Sequence, residues 1–354
     1  MERHGPWLEV DLAALQRNAR RYAKLLGSRL LPMVKADAYG LGAVAVARAL
    51  EPLSPWGFGV AALGEAVALR QAGVTRPIVC VTPFVPGDEP DYLEQRVRPA
   101  IASVAGLTAW TGASTEPFHL SIETGMMRGG IRWNDDADLE AARRMLDGAP
   151  GYEGAFTHFH SADESSESTE LQWTRFQSAL AKLGGRPPLV HAANSAAAQW
   201  DDRFAGTLAR PGIFLYGGKA GALEPEPVAR LTARVVAVQR GRPGDTVSYG
   251  ATYRLQDRRE LVTLAIGYAD GLPRSLGNRG GAWLRGARQP IAGRVTMDLT
   301  VLATTPGTAT VGDVAELYGP SLSIDAQAEA AGTIAYELLT SVGKRVSRQY
   351  RGLR

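Results

Sequence analysis

The apolar residues of this chain change rhythm about two-thirds of the way along, and that change limits its folds more than any other feature. Up to roughly residue 220, short strand-like runs alternate with amphipathic helical stretches. The runs are Leu30–Val34, Ile78–Val81, His119–Ile122, Ala155–Phe159, Leu189–Ala192 and Ile213–Tyr216. Helical stretches at Ala43–Leu50, Ala61–Ala72, Ala137–Leu146 and Thr169–Leu183 lie between many of them. An earlier helix starts at an Asp11 cap and carries Leu12, Leu15, Ala19, Tyr22 and Leu26 at helical spacing. Such alternation predicts parallel strands, either in a closed eight-fold barrel or in an open doubly wound sheet. Periodicity alone does not choose between them.

After about Ala222 the strands are separated by Gly and Pro turns instead: Thr232–Gln239, Leu261–Gly267, Ala282–Leu284, Val295–Thr304 and Val314–Tyr318. Helical patterns return only at Ile324–Ala331 and Tyr336–Val342. This predicts a mainly antiparallel β domain. The boundary falls near Gly221–Glu226, giving an α/β domain over 1–221 and a β-rich domain over 222–354. The length of 354 residues agrees with two domains of about 150 each.

Composition narrows the function. Thirty-nine Lys and Arg against 36 Asp and Glu leave +3, without a basic run, so no nucleic-acid partner is expected. One cysteine, Cys80, excludes a disulfide framework within the chain and a cysteine-clustered zinc site. The first residues lack a secretory pattern and no apolar run reaches membrane-spanning length, so a soluble, cytoplasmic protein with no membrane partner is expected.

The chemistry starts at Pro32-Met33-Val34-Lys35-Ala36-Asp37-Ala38-Tyr39-Gly40. A lysine directly after an apolar strand and before a small-residue loop would, in a β/α barrel, sit at the end where active sites form. Among Val, Ala and Met its ammonium is partly desolvated, which lowers its pKa and frees a nucleophilic amine. A phosphate loop of the G-x-x-x-x-G-K-[ST] type is not present.

With this segment the chain resembles the alanine racemase family of pyridoxal-phosphate enzymes, and further motifs follow in order through almost its whole length. They are Glu123-Thr124-Gly125-Met126-Met127-Arg128, Thr157-His158-Phe159 with Ala162-Asp163-Glu164, Asn194-Ser195-Ala196 and Arg210-Pro211-Gly212-Ile213 in the first domain. The second domain has Val247-Ser248-Tyr249-Gly250, Gly267-Tyr268-Ala269-Asp270-Gly271, Gly293-Arg294-Val295-Thr296-Met297-Asp298 and Tyr336-Glu337. The family commonly has Asn where this chain has Asp37, and His where it has Leu41.

The resemblance implies a (β/α)8 TIM-like barrel followed by a mainly β domain, with pyridoxal 5'-phosphate as cofactor. It implies that Lys35 holds the cofactor covalently and that Tyr39, Ser195, Tyr336 and the N–H groups of Gly212 and Ile213 bind its phosphate. Arg128 would approach the phenolic oxygen and the substrate carboxylate, His158 would pack on the ring, and Arg210 would face the pyridine nitrogen. Met297 would contact the substrate carboxylate through its backbone. Tyr268, Arg274, Arg294 and Asp163 would shape the entrance. The activity implied is interconversion of L- and D-alanine by two bases, Lys35 and Tyr249. Tyr249 would reach the site of the opposite subunit, so a homodimer is implied.

Two further positions depart from the family pattern. Ser121 stands where members carry a carbamylated lysine, so Arg128 lacks its usual anionic partner, and a chloride-sized anion or water is expected there. His160 stands where members have Ala. In a strand His158 and His160 would share a face, which also reads as a metal-binding H-x-H; His4, His119 and His191 complete no such site, so no metal is expected. These departures leave open a racemase of another small amino acid such as serine. A cofactor-binding protein with little turnover is the alternative from another class, and the V-S-Y-G segment weighs against it. Arg210 weighs against a decarboxylase, whose relatives place an acid at that position.

Overall fold

The computed structural model describes residues 5–26 and 29–352; His4 lies outside them. Six parallel strands form the centre of the first domain: Phe58–Val60, Ile78–Pro83, Val97–Ile101, Phe118–Glu123, Tyr152–Phe156 and Leu189–His191. Their sequence order is their spatial order, and helices fill most of the connections. This is the half-barrel curvature that right-handed strand–helix–strand units generate. Arg29–Leu30 and Leu208–Ala209 make a separate parallel pair. Backbone bonds tie that pair to both edges of the sheet: Trp56 N–H donates to Leu30 O and Gly59 N–H to Pro32 O on one side, and Arg210 N–H donates to Ala193 O on the other.

The helices form where the apolar spacing is helical. Asp11 Oδ1 accepts the Ala14 N–H at 2.8 Å, capping the Leu12–Leu26 helix, and its five periodic apolar residues are all buried. Four apolar runs behave differently from their reading as strands; Leu30–Val34 is one, a strand only at Leu30 with a single bridge from Met33 to Gly59. Ile213–Tyr216 is a single 3-10 turn with all four side chains buried. A short apolar run has no period to separate a strand from a buried turn, and Pro211-Gly212 ends the strand first. The run at Ala155–Phe159 lies in a strand that ends at Phe156, and Val295–Thr304 is a strand only from Thr300.

The second domain is an eight-stranded sheet organised around Ala229–Gly241. That 13-residue strand pairs antiparallel with Arg259–Leu264, Val314–Tyr318 and Trp7–Asp11. Irregularities at Leu231/Thr232 and Val235/Ala237 let it bend from one set of partners to another. The strand Trp7–Asp11 therefore belongs to this sheet although it opens the chain, and Ser347–Arg351 flanks it in parallel.

The C-terminal segment reaches back to the first domain. The Arg348 guanidinium donates to Gly40 O and to the carbonyls of Val342, Gly343 and Val346. A Cβ at Gly40 would lie 2.4 Å from Leu339 O, so the loop after Lys35 packs directly on the Ala335–Thr340 helix. Among the described residues no helix is long and apolar enough to cross a membrane.

Candidate active site

Lys35 opens a left-handed turn. Ala36, Asp37, Ala38 and Tyr39 have φ of 51°, 53°, 52° and 57°, and Gly40 continues it at 81°. Each non-glycine residue there costs roughly 1–2 kcal/mol, so the surroundings must impose the shape. The Ala36 N–H donates to Glu65 Oε1 at 2.5 Å, the Ala43 N–H to Asp37 Oδ1 at 2.7 Å and the Gly40 N–H to Ala36 O at 2.8 Å. The turn sets Lys35 and Tyr39 on the same cavity, of about 510 Å³.

Nine sequence-predicted residues line that cavity: Lys35, Tyr39, Arg128, His158, Ser195, Arg210, Gly212, Ile213 and Tyr336. They come from five strand-end loops and the Ala335–Thr340 helix. Tyr39 is held between Tyr216 and Tyr336, with ring centroids 4.7 and 5.8 Å away. Burial pushes the Tyr336 hydroxyl up to about 12 and raises that of Tyr39, so both are protonated donors at neutral pH. A Cβ at residue 212 would sit 2.4 Å from Tyr39 Oη, so only glycine leaves this cradle of hydroxyl and backbone open. Ser195 Oγ accepts the Gly212 N–H at 2.9 Å on its far wall.

Three cations share the space. Burial, then Arg128 and Arg210, lower the Lys35 pKa. Burial lowers that of Arg210 to about 10, and its guanidinium donates to His191 Nδ1 at 2.9 Å and to the Thr157 carbonyl at 2.7 Å. Among the described residues none of Lys35, Arg128 and Arg210 is ion-paired to a carboxylate. Burial and the same cations hold His158 down to about 3, so its ring is neutral. Ser121 is buried and lines an adjoining cavity of about 320 Å³ with Arg128, Thr157 and His158.

The two histidines of the H-x-H segment do not face one point. Both lie beyond the strand that ends at Phe156; His158 turns into the cavity, while His160 is exposed and bonds Ser161 Oγ at 2.7 Å. Among the described residues no cluster of His, Cys, Asp or Glu could hold a metal ion.

The remaining predicted residues form no part of the cavity wall. Tyr249 is 73% exposed on the turn Tyr249–Ala251, Met297 is 53% exposed and Tyr268 44%. Four of this group lie close together: the Tyr268 and Ala269 N–H groups donate to Thr296 O and Met297 O, and Ser248 Oγ, next to Tyr249, donates to Arg294 O. Arg274 opens a 3-10 turn, and Asp163 lies near enough to Tyr336 to raise its pKa. Sequence reasoning missed Glu65, whose carboxylate braces the Lys35 turn, and His191 and Tyr216, whose partners are distant in sequence. Glu65 three residues after Ala62 is a helix-start pattern and carried no hint of this second use.

An amine of lowered pKa beside a hydroxyl-and-backbone cradle, ringed by unpaired cations, defines a protein that holds a small anionic carbonyl cofactor on a lysine. Residues 10–220 match the family model "Alanine racemase, N-terminal domain" and residues 228–350 match "Alanine racemase, C-terminal domain". The chain belongs to the alanine racemase family. Alanine racemase of Citrifermentans bemidjiense is 38% identical over 98% of each chain. The crystal structure of alanine racemase from Bartonella henselae with covalently bound pyridoxal phosphate superposes with a TM-score of 0.91 at 28% identity, over 98% of this chain and 99% of that one. That from Bacillus anthracis with bound L-Ala-P has a TM-score of 0.87 and 33% identity, over 99% and 96%.

Proposed function

We propose that this protein is a pyridoxal-phosphate-dependent racemase interconverting L- and D-alanine, active as a cytoplasmic homodimer. The observation that carries this is the cavity in which Lys35, Arg128 and Arg210 converge unpaired beside the Tyr39–Gly212 cradle. The donor set fits the cofactor: an amine for its aldehyde, hydroxyls and N–H groups for its phosphate, and a guanidinium for its ring. Once bound, pyridoxal phosphate withdraws electrons from the α-carbon of an attached amino acid and makes its proton removable.

The chain's own residues do the rest. Tyr39, Ser195, Tyr336 and the Ile213 N–H would hold the phosphate, joined by the Gly212 N–H once it turns from Ser195 Oγ. Arg210 would face the pyridine nitrogen; a guanidinium gives up no proton at neutral pH, so it would leave that nitrogen unprotonated. His158, neutral, would pack on the ring. Arg128 binds the substrate carboxylate. Met297, Tyr268 and Arg294 lie near Tyr249 and off this cavity. With Arg274 they would therefore serve the partner's site, the Met297 backbone at the carboxylate and the others, with Asp163, at the entrance.

Racemisation needs a proton taken from one face and returned to the other, so two groups must flank the α-carbon. Lys35 Nζ serves one face; burial and its cationic neighbours favour its neutral form. Tyr249 of the partner subunit serves the other, and its exposure on a short turn of its own chain supports this reading. Ser121 replaces the carbamylated lysine of relatives, and the cavity it lines with Arg128 suits a small anion or water. The eight parallel strands read as a closed barrel, supported by the backbone bonds that join the Arg29–Leu30 and Leu208–Ala209 pair to both sheet edges.

The test is a panel of enantiopure amino acids incubated with the holoenzyme in deuterium oxide. Loss of optical rotation with α-deuteration, greatest for alanine, is the expected result. Absence of exchange with every amino acid, despite bound cofactor, would reject the reading.

A further inference from the structure

Arg210 is connected away from the cavity by a series of two buried histidines and a half-buried carboxylate that the reaction itself does not use. Arg210 Nη1 donates to His191 Nδ1 at 2.9 Å, His191 Nε2 lies 2.7 Å from His119 Nδ1, and His119 Nε2 lies 3.1 Å from Glu153 Oε2. Glu153 ends the series in a two-pronged pair with Arg98, whose Nε and Nη2 lie 2.5 and 3.2 Å from its oxygens. The rings are held in place: His191 stacks on Phe156 at 4.9 Å, and His119 packs on Trp56 at 5.7 Å. A Cβ at Gly154 would meet His119 Nδ1 at 2.7 Å, so the glycine beside Glu153 makes room for that ring.

The series has a direction. Arginine carries donors only, so His191 Nδ1 must accept. Both imidazoles are fully buried, which lowers their pKa values and keeps them neutral. Neutral His191 therefore carries its proton on Nε2 and donates to His119 Nδ1. His119 in turn carries its proton on Nε2 and donates to the carboxylate. Burial works against the Glu153 charge, but bonds from His119 and Arg98 outweigh it and hold the carboxyl near 2. The cation at one end and the acceptor-only carboxylate at the other demand the same two tautomers.

We infer that Glu153 is a positioning residue for Arg210, acting through the His119–His191 pair, whose one-way hydrogen bonds, together with those from Arg210 to the Thr157, His191 and Ala192 carbonyls, fix how the guanidinium is presented to the cavity. The inference rests on the reading of Arg210 as the group facing the cofactor ring. It is a role for residues 34 and 72 positions apart that touch neither substrate nor cofactor.

Two measurements test it. In holoenzyme labelled with 15N-histidine, the His119 and His191 imidazoles should both be neutral with the proton on Nε2; a proton on Nδ1 of either overturns the inference. The second uses E153K alone and the charge-swapped E153K/R98E. The swap keeps an ion pair but turns a donor toward His119 Nε2, so two N–H groups must meet head-on somewhere along the series. The swap should recover most of the thermal midpoint lost in E153K. Its kcat for alanine should stay down by about tenfold or more, with KM within about twofold of wild type. A swap that restores both midpoint and kcat would make the pair merely structural and overturn the inference. If the swap does not fold, the wild-type tautomers still decide. If the wild-type protein racemises no amino acid, the proposed function fails, and the tautomers test the series independently.

Discussion

The Tyr39 hydroxyl occupies the space where any residue but glycine at 212 would place its Cβ: the two would be 2.4 Å apart. Gly212 has a negative φ of −127°, so the demand for glycine here comes from close approach and not from left-handed backbone. The contact links the turn after Lys35 to the strand end that carries Arg210, and it shapes the wall assigned to the phosphate.

Gly212→Ala should therefore weaken cofactor binding by at least about tenfold, or roughly 1.4 kcal/mol, in an absorption titration of the apoenzyme. Adding Tyr39→Phe, which removes the hydroxyl, should recover part of the thermal stability lost in G212A. Unchanged affinity in G212A would remove this wall from the phosphate site.

Lys35→Ala should abolish the absorption band of lysine-bound cofactor and all α-exchange while leaving the fold intact, because Lys35 forms no ion pair among the described residues. A retained band would place the covalent link on another residue.

Stability should fall in acid through three histidines. His119, His158 and His191 have pKa values lowered below 6.5 in the folded protein, chiefly by burial. Below 6.5 the unfolded chain binds protons that the folded chain refuses, so stability is present above that pH and is lost as pH falls. For His158 the window runs from 6.5 down to about 3. The thermal midpoint should drop between pH 7.5 and 5.5, and His158→Gln should flatten that slope. An equal slope in H158Q would mean that His158 is charged in the folded state.

Replacing chloride with a bulky anion such as gluconate at constant ionic strength should lower kcat if a small anion serves Arg128 beside Ser121. A charge-assisted hydrogen bond is worth about 1.5–3 kcal/mol, so a loss of tenfold or more is expected at full effect. An indifferent kcat would leave water as the neighbour of Arg128.

Much of the cavity lining was legible because its residues lie in short segments at strand ends, where residue type and position speak together. Lys35 after an apolar run and Arg210 before Pro-Gly are examples, and the cavity joins them with seven other predicted residues. The left-handed turn at Ala36–Tyr39 was not legible, because nothing in Ala-Asp-Ala-Tyr prefers it; Glu65 and the Ala335–Thr340 helix impose it from elsewhere. Ile213–Tyr216 misled for a related reason, since burial on all sides erases the period that separates strand from turn. The pairing of Trp7–Asp11 with strands more than 200 residues later, and the His119–His191 contact, depend on tertiary closure and leave no local trace.

If a working site takes Lys35 from one subunit and Tyr249 from the other, two inactive variants should restore each other when mixed. Neither Lys35→Ala nor Tyr249→Phe should racemise alanine at more than a small fraction of the wild-type rate. Dissociated together and reassociated at random, half of the dimers pair one of each, and one of the two sites in such a dimer has both residues intact. Activity should then return to about a quarter of wild type. A mixture no more active than its components would mean that the two residues do not meet across a subunit interface.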